Sequence, residues 1–224
     1  MTEIKSIGAA DQDLAVGTLV LAFSADPAAR WLYRDSQQYL ANFPDFIRAF
    51  AGAAFEHGSA YCAVGYSGAA LWLPPEIHPD EQALAQLIRR TVCERDQADV
   101  VTVLEQMDSY HPAEPHWYLP MIGVDPAQQG KGYGSALLAY ALARCDLAGK
   151  PAYLESSSPK NIPLYKRHGF ELLGTIQVGS SPPLFPMLRE PQRLKTSQKR
   201  DFFASQTINQ PAGIDLMAKM STRP

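Results

Sequence analysis

The chain has 224 residues, with 20 lysines and arginines against 23 aspartates and glutamates and a formal net charge of −3, so no general attraction draws it to nucleic acid or to an anionic membrane. Its 46% hydrophobic and 10% aromatic content suits a folded domain with a substantial core. Cys62, Cys93 and Cys145 are too few and too scattered for a disulfide framework or a metal motif, no apolar run reaches the roughly 18 residues of a membrane span, and Met1–Lys5 lacks a signal-peptide core. The expectation is a cytoplasmic protein with reduced thiols and no metal.

Thr2 to Ile7 reads as a short first strand. Asp11 can cap a helix on which Leu14, Leu19, Val20 and Phe23 recur at helical spacing, ended by Ser24-Ala25-Asp26-Pro27. Arg30 to Asp35 is expected as a loop carrying Trp31 and Tyr33. From Ser36 a second, aromatic-rich helix runs to His57, bent or broken at Pro44. Ala60 to Tyr66 and Ala69 to Leu73 look like a hairpin turning at Ser67-Gly68, and Pro74-Pro75 stops its second strand.

Two helical stretches follow Asp80, the first grouping Leu84, Leu87 and Ile88, the second Val100, Val103, Leu104 and Met107; Ser109 to Pro115 is a loop. Trp117 to Val124 is a fourth strand with Pro120 inside it, which calls for a bulge or an unpaired edge there. A helix burying Leu137, Leu138, Ala141, Leu142 and Cys145 ends near Gly149, and the mostly apolar Ala152 to Glu155 reads as a central fifth strand. A short helix with Pro163 in its first turn stops at Gly169 and leads to a strand from Phe170 to about Val178; a last strand spans about Leu184 to Leu188 after a Ser180-Ser181-Pro182-Pro183 loop. The domain is expected over residues 1–190. From Pro191 the composition turns polar and charged, so 191–224 is expected as an extension, loosely ordered or docked by Phe202, Phe203, Ile208 and Leu216.

Between the fourth strand and the next helix lies Gln129-Gly130-Lys131-Gly132-Tyr133-Gly134-Ser135. Glycines there expose backbone N–H groups at a helix N-terminus, which favours phosphate oxygens. A nucleoside-triphosphate loop would need Lys-Ser/Thr after its last glycine, and only Ser135 follows. A dinucleotide fingerprint finds an acid at about the right distance, Glu155, but Gly130-x-Gly132-x-Gly134 is one residue short and too little chain remains for a doubly wound sheet. The pattern Gln129-x-x-Gly132-x-Gly134 resembles the acetyl-CoA pyrophosphate loop of the GNAT N-acetyltransferase superfamily. The segment Asn161…Leu164-Tyr165-x-x-x-Gly169-Phe170 extends that likeness, which covers about residues 2 to 190. Within the superfamily, His111-Pro112-x-x-Glu114-Pro115-x-Trp117, Gly123-Val124, Gln129-Gly130-Lys131-Gly132 and Leu154-Glu155-x-Ser157 with Asn161 look similar to the puromycin N-acetyltransferases.

The resemblance implies an α/β (α+β) fold: a mixed, mostly antiparallel sheet of six to seven strands, helices on both faces, and a bulged fourth strand splayed from the fifth. It implies direct acetyl transfer from acetyl-CoA to a small amine, by a monomer or homodimer. Gly130, Gly132, Tyr133 and Gly134, with Gln129 and Ser135, would hold the pyrophosphate, and Lys131 would add charge. Ile122, Gly123 and Val124 would pair with the pantetheine arm, the Val124 N–H would face the thioester oxygen, and Asn161 would contact the arm. Tyr165 is the candidate general acid for the leaving thiolate. A protonated amine also needs a base, for which Glu155 is the first candidate, with His116 and Glu114 in reserve; a structural carboxylate is the equal alternative for Glu155, and His168 is expected to cap a helix end. Trp31, Tyr33, Phe43 and His116 are expected around the acceptor, pointing to an amine with an aromatic or apolar body. Such an enzyme could detoxify an antibiotic or metabolite. A non-catalytic acyl-CoA sensor and a nicotinamide-dependent oxidoreductase are the competing classes.

Overall fold

The computed structural model describes residues 2–192, so the expected extension lies, but for its first two positions, outside the described residues. In chain order these form β1 (Ile4–Ile7), α1 (Gln12–Ala22), α2 (Pro27–Leu32), α3 (Ser36–Ala51), α4 (Ala53–Glu56), β2 (Ala60–Ala63), β3 (Gly68–Leu73), α5 (Glu81–Thr91) and α6 (Glu94–Tyr110). Then come β4 (Trp117–Val124), α7 (Tyr133–Ala148), β5 (Ala152–Ser156), α8 (Ile162–Arg167), β6 (Glu171–Leu172) and β7 (Phe185–Arg189). None of these helices is long and apolar enough to cross a membrane.

The strands form one mixed sheet in the order β1-β2-β3-β4-β5-β7-β6, antiparallel at every step except the parallel β4–β5 pair. Side chains alternate across it. Cys62, Ala69, Leu71 and Leu73 face a core built with α1, α3 and α5, while Tyr61, Ala70, Trp72 and Leu119 face a second core under α7. The expected α/β sheet with helices on both faces is therefore present.

Three local expectations are corrected. The first half of the segment expected as a loop, Arg30 to Leu32, belongs instead to α2, while Tyr33 to Asp35 is loop as expected: Pro27 opens the helix, where its missing N–H costs nothing, and Asp26 Oδ1 accepts from the Ala28 and Ala29 N–H groups at 2.9 and 3.1 Å. Pro44 does not break α3, which runs on to Ala51 and gives way at Gly52 to the single turn of α4. The strand expected from Phe170 to Val178 shrinks to β6 and an isolated Ile176–Leu184 bridge. At Gly174 the chain passes so close to Tyr110 that a Cβ would stand 2.5 Å from its hydroxyl, and it leaves the sheet edge there.

β4 positions the site. Its ladder with β3 runs from Gly68–Val124 to Leu73–Tyr118, with a register shift opposite Pro120, which has no N–H to give. Its ladder with β5 consists of Trp117–Ala152 and Tyr118–Tyr153 alone. Beyond Tyr118 the two strands part.

Candidate active site

The gap between the parted strands opens into a cavity of about 560 Å³. One wall is β4 from Leu119 to Val124, the other is Leu154, Glu155 and Ser157, and the glycine loop with the first turn of α7 closes one end. Phe23, Trp31, Phe43, Phe46 and Phe50 from the N-terminal helices and Leu104 and Met107 from α6 make the remaining lining largely apolar.

The backbone of β4 faces this gap in alternate residues. Asp125 N–H donates to Ser67 O at 3.0 Å across from β3, so in the antiparallel ladder Gly123 and Met121 also turn their N–H and C=O groups toward β3. Ile122 and Val124 turn theirs the other way. Consistently, Val124 O accepts from Gln129 Nε2 at 3.3 Å. Of the three residues expected to pair with pantetheine, Gly123 also lines the cavity but turns its N–H and C=O toward β3, and a Cβ there would lie 2.5 Å from Ala22 Cβ on α1.

The start of α7 differs from those of α2, α3 and α5, whose first-turn N–H groups bond to the side chains of Asp26, Asp35 and Asp80. The N-cap of α7 is Gly132, in left-handed backbone at φ +86°, with no side chain to cap anything. A Cβ at Gly130 or Gly132 would meet nothing within 4 Å, so these glycines border open space. The result is a helix N-terminus whose donors and partial positive charge are left for an anion. Gly130, Gly132, Tyr133, Gly134, Ser135, Gln129 and Asn161 all line the cavity. Lys131 is not on its wall; its Nζ donates to Gln128 Oε1 at 2.7 Å. Ser135 Oγ is hydrogen-bonded to His168 Nε2 at 2.8 Å. Burial, then Arg167 and Arg189, holds the His168 pKa below its usual value and keeps that ring neutral.

Glu155 stands just past the fork. Its side chain is 4% exposed, Oε2 accepts from Tyr118 Oη at 2.9 Å, and Oε1 is buried without a hydrogen bond. Tyr118 and Tyr153 are held well above the ordinary tyrosine pKa, first by burial and then by the Glu155 charge, so both phenols stay protonated beside the carboxylate. A buried carboxylate oxygen without a donor is costly and calls for an explanation. Tyr165 lies in the wall formed by α8, buried, and burial raises its pKa with a smaller push from Asp26.

The structure does not bring every expected residue to this cavity. Trp31 and Phe43 line it, and Trp31 Nε1 also donates to Ser180 Oγ at 3.1 Å. Tyr33 is instead a core residue, 2% exposed, with its hydroxyl bonded to Thr91 Oγ1 at 2.9 Å. His116 and Glu114 line a separate cavity of about 960 Å³. Sequence reasoning gives no site role to Tyr118, which faces Glu155, and names Asp26 only as part of a helix end and Ser157 only as part of a motif likeness, although the two bond to each other at the cavity wall. The Asp-Pro pair is an N-cap signal that would have identified α2 and placed Asp26. Nothing local in the sequence marks Tyr118.

Residues 89–172 match the family model of the acetyltransferase (GNAT) domain. The chain is 28% identical over 233 residues to an uncharacterized N-acetyltransferase, C550.08, of Schizosaccharomyces pombe, with 92% of this chain and 91% of the relative covered. Among solved structures it is similar to a Corynebacterium glutamicum protein described as histone acetyltransferase HPA2 and related acetyltransferase, at 27% identity and TM-score 0.61, covering 87% of this chain and 98% of that one. The Drosophila melanogaster polyamine N-acetyltransferase shares the fold, with TM-score 0.61 at 11% identity over 85% of this chain and all of that one. With the forked β4–β5 pair and the glycine loop at α7, these likenesses agree: residues 89–172 match a GNAT acetyltransferase domain, and most of the chain is similar to proteins described as N-acetyltransferases.

Proposed function

We propose that the protein transfers the acetyl group of acetyl-CoA directly to a small-molecule amine in a ternary complex. The observation that carries this reading is the pairing, in one cavity, of an uncapped helix N-terminus with a buried carboxylate one of whose oxygens makes no hydrogen bond. The α7 N–H groups, Gln129 and Asn161 suit the diphosphate and its arm, and Lys131, between the lining Gly130 and Gly132, would add charge at the rim. The backbone of Ile122 and Val124, which has no strand partner on the β5 side, suits an extended amide-bearing chain that adds to β4 as a further strand. The Val124 N–H then faces the thioester carbonyl and stabilises the oxyanion that develops there.

Glu155 accepts the amine proton, directly or through water. An alkylamine of pKa about 10.4 is protonated by more than three units at pH 7, so supplying the free amine costs about 4–5 kcal/mol that a positioned base helps to meet. Tyr165 donates to the departing thiolate. Its raised pKa keeps the proton in place until charge builds on sulfur. The apolar lining from Phe23, Trp31, Phe43 and Phe46 suits an amine with an aromatic or aliphatic body, and arylalkylamine N-acetyltransferase 2 of Aedes aegypti shares the fold at TM-score 0.60. On this reading the enzyme's role is to detoxify an amine antibiotic or metabolite, and the catalytic domain is 1–190 with 191–224 as an extension.

The test is to incubate the protein with acetyl-CoA and a panel of amines, including puromycin, arylalkylamines and agmatine, and to follow free thiol. Amine-dependent thiol release is expected. Tight acetyl-CoA binding with no release for any amine would favour a non-catalytic acyl-CoA sensor.

A further inference from the structure

A row of imidazoles leads away from the proposed base. His111 Nε2 stands 3.6 Å from Glu155 Oε1, the carboxylate oxygen that makes no hydrogen bond. On its other side His111 Nδ1 is bonded to His116 Nε2 at 2.9 Å, and His116 Nδ1 to the Glu114 carbonyl at 2.8 Å. Glu155 borders the cavity between β4 and β5, whereas His111, His116 and Glu114 border the second cavity. Phe50, Leu104 and Met107 line both, so the two spaces share an apolar partition that the imidazoles cross.

The hydrogen bonds fix the resting tautomers. A carbonyl oxygen only accepts, so His116 carries its proton on Nδ1; as a neutral ring its Nε2 accepts, and His111 must donate from Nδ1. In the neutral ring His111 Nε2 is then left with a lone pair, 3.6 Å from Glu155 Oε1.

We propose that His111 and His116 form a proton relay that drains Glu155 into the second cavity after each acetyl transfer. The relay rests on the reading of Glu155 as the base. Protonated Glu155 gives its proton from Oε1 to His111 Nε2; the His111 Nδ1–H bond breaks as His116 Nε2–H forms; and His116 releases its Nδ1 proton to water once the Glu114 carbonyl lets go. One proton leaves the carboxyl group and one enters solvent; each ring then returns to its first tautomer by taking a proton on Nδ1 from water in the second cavity and giving the one on Nε2 to water, with no net change in protons. The 3.6 Å step has to tighten for the first transfer, as catalytic hydrogen bonds commonly do when substrate is bound. The groups that face the pair are His78, Asp108, Glu114, Tyr118, Tyr153 and Glu155. Burial holds the His116 pKa low, so the outer ring sheds its proton readily at neutral pH.

These rings position and carry a proton without touching the substrate, so their test needs a readout that a structural role would not move. In His116→Ala, kcat should fall roughly 10-fold or more, the KM for acetyl-CoA should hold, and added imidazole, which the second cavity can admit, should restore turnover in a saturable way. His116→Gln, which can keep hydrogen bonds at both ends but cannot carry a proton, should be as slow as His116→Ala. Wild-type kcat in His116→Ala, or full activity in His116→Gln, would overturn the relay. Glu155→Gln separates the two readings: if it is inactive while His116→Ala is normal, only the relay fails; if it turns over normally, the base assignment fails first.

Discussion

β4 has two edges, and they do different things. Toward β3 it pairs along its length with one shift at Pro120, and Gly123 brings it within packing distance of α1. Toward β5 it pairs at two positions and then parts, leaving the backbone of Ile122 and Val124, the start of α7 and Glu155 around one cavity. The paired edge resembles an ordinary sheet interior, with its polar groups satisfied. The parted edge collects what a stable fold avoids: backbone without a strand partner, an uncapped helix end and a buried carboxylate oxygen without a donor. The lesson is that stability and chemistry are divided between the two sides of a single strand, so substitutions on one side should lower turnover and those on the other should lower stability.

The largest effect should come from Glu155→Gln. It keeps the shape and the Tyr118 contact but cannot accept a proton, so kcat should drop by about 10²–10⁴-fold with the melting temperature unchanged or slightly raised, since a buried charge is removed. Steady-state kinetics and calorimetry on the same sample check both halves. Next is Gly132→Val. It forces a β-branched residue into a left-handed position that costs of order 1–3 kcal/mol, and it fills the open space in front of α7. Acetyl-CoA binding should be lost, and a folded variant that binds normally would show that the diphosphate sits elsewhere. Tyr165→Phe should slow turnover with little change in acetyl-CoA affinity; an unchanged rate would remove the phenol from the acid role. On the paired edge, Gly123→Ala pushes a methyl to 2.5 Å from Ala22 Cβ, and overpacking of this kind costs roughly 1–3 kcal/mol. Thermal unfolding should register that loss, while the kcat of the folded fraction stays near that of the wild type.

The same division explains what the sequence makes legible. The parted edge announces itself through residues whose backbone behaviour is unusual: Pro120 marks the shift, Gly130 and Gly132 have positive φ as the loop requires, and the Asn161 to Phe170 segment forms a proline-opened turn stopped by Gly169. These signals are local. What the sequence hides is set by contacts between distant elements. Tyr33 reads as a cleft aromatic, yet it packs beside Thr91 on α5. Tyr118 reads as one more strand residue, yet the parallel register that pairs it with Tyr153 brings its hydroxyl to Glu155. Asp26 reads as the end of one helix, yet it begins the next and reaches Ser157, more than a hundred residues away in the chain.

Pro120→Ala should have the smallest effect, and it asks which feature holds the fork open. If proline alone kept β4 away from β5, an alanine would restore an N–H, the parallel ladder would lengthen, and the protein would grow more stable as it lost acetyl-CoA binding. The register argues otherwise. Leu73–Tyr118 and Leu71–Met121 pin the bulge from both sides, and Phe23, Phe43 and Phe46 stand along the cavity whatever residue occupies position 120. The alanine variant should therefore keep the fork and lose only the proline's restraint on the unfolded chain, about 0.4–1 kcal/mol. In a domain of this size that is a fall of about 1–4 °C in melting temperature, with turnover within about twofold of the wild type. A rise in melting temperature with weakened cofactor binding would mean that one missing N–H, rather than the packing around it, separates the two edges of β4.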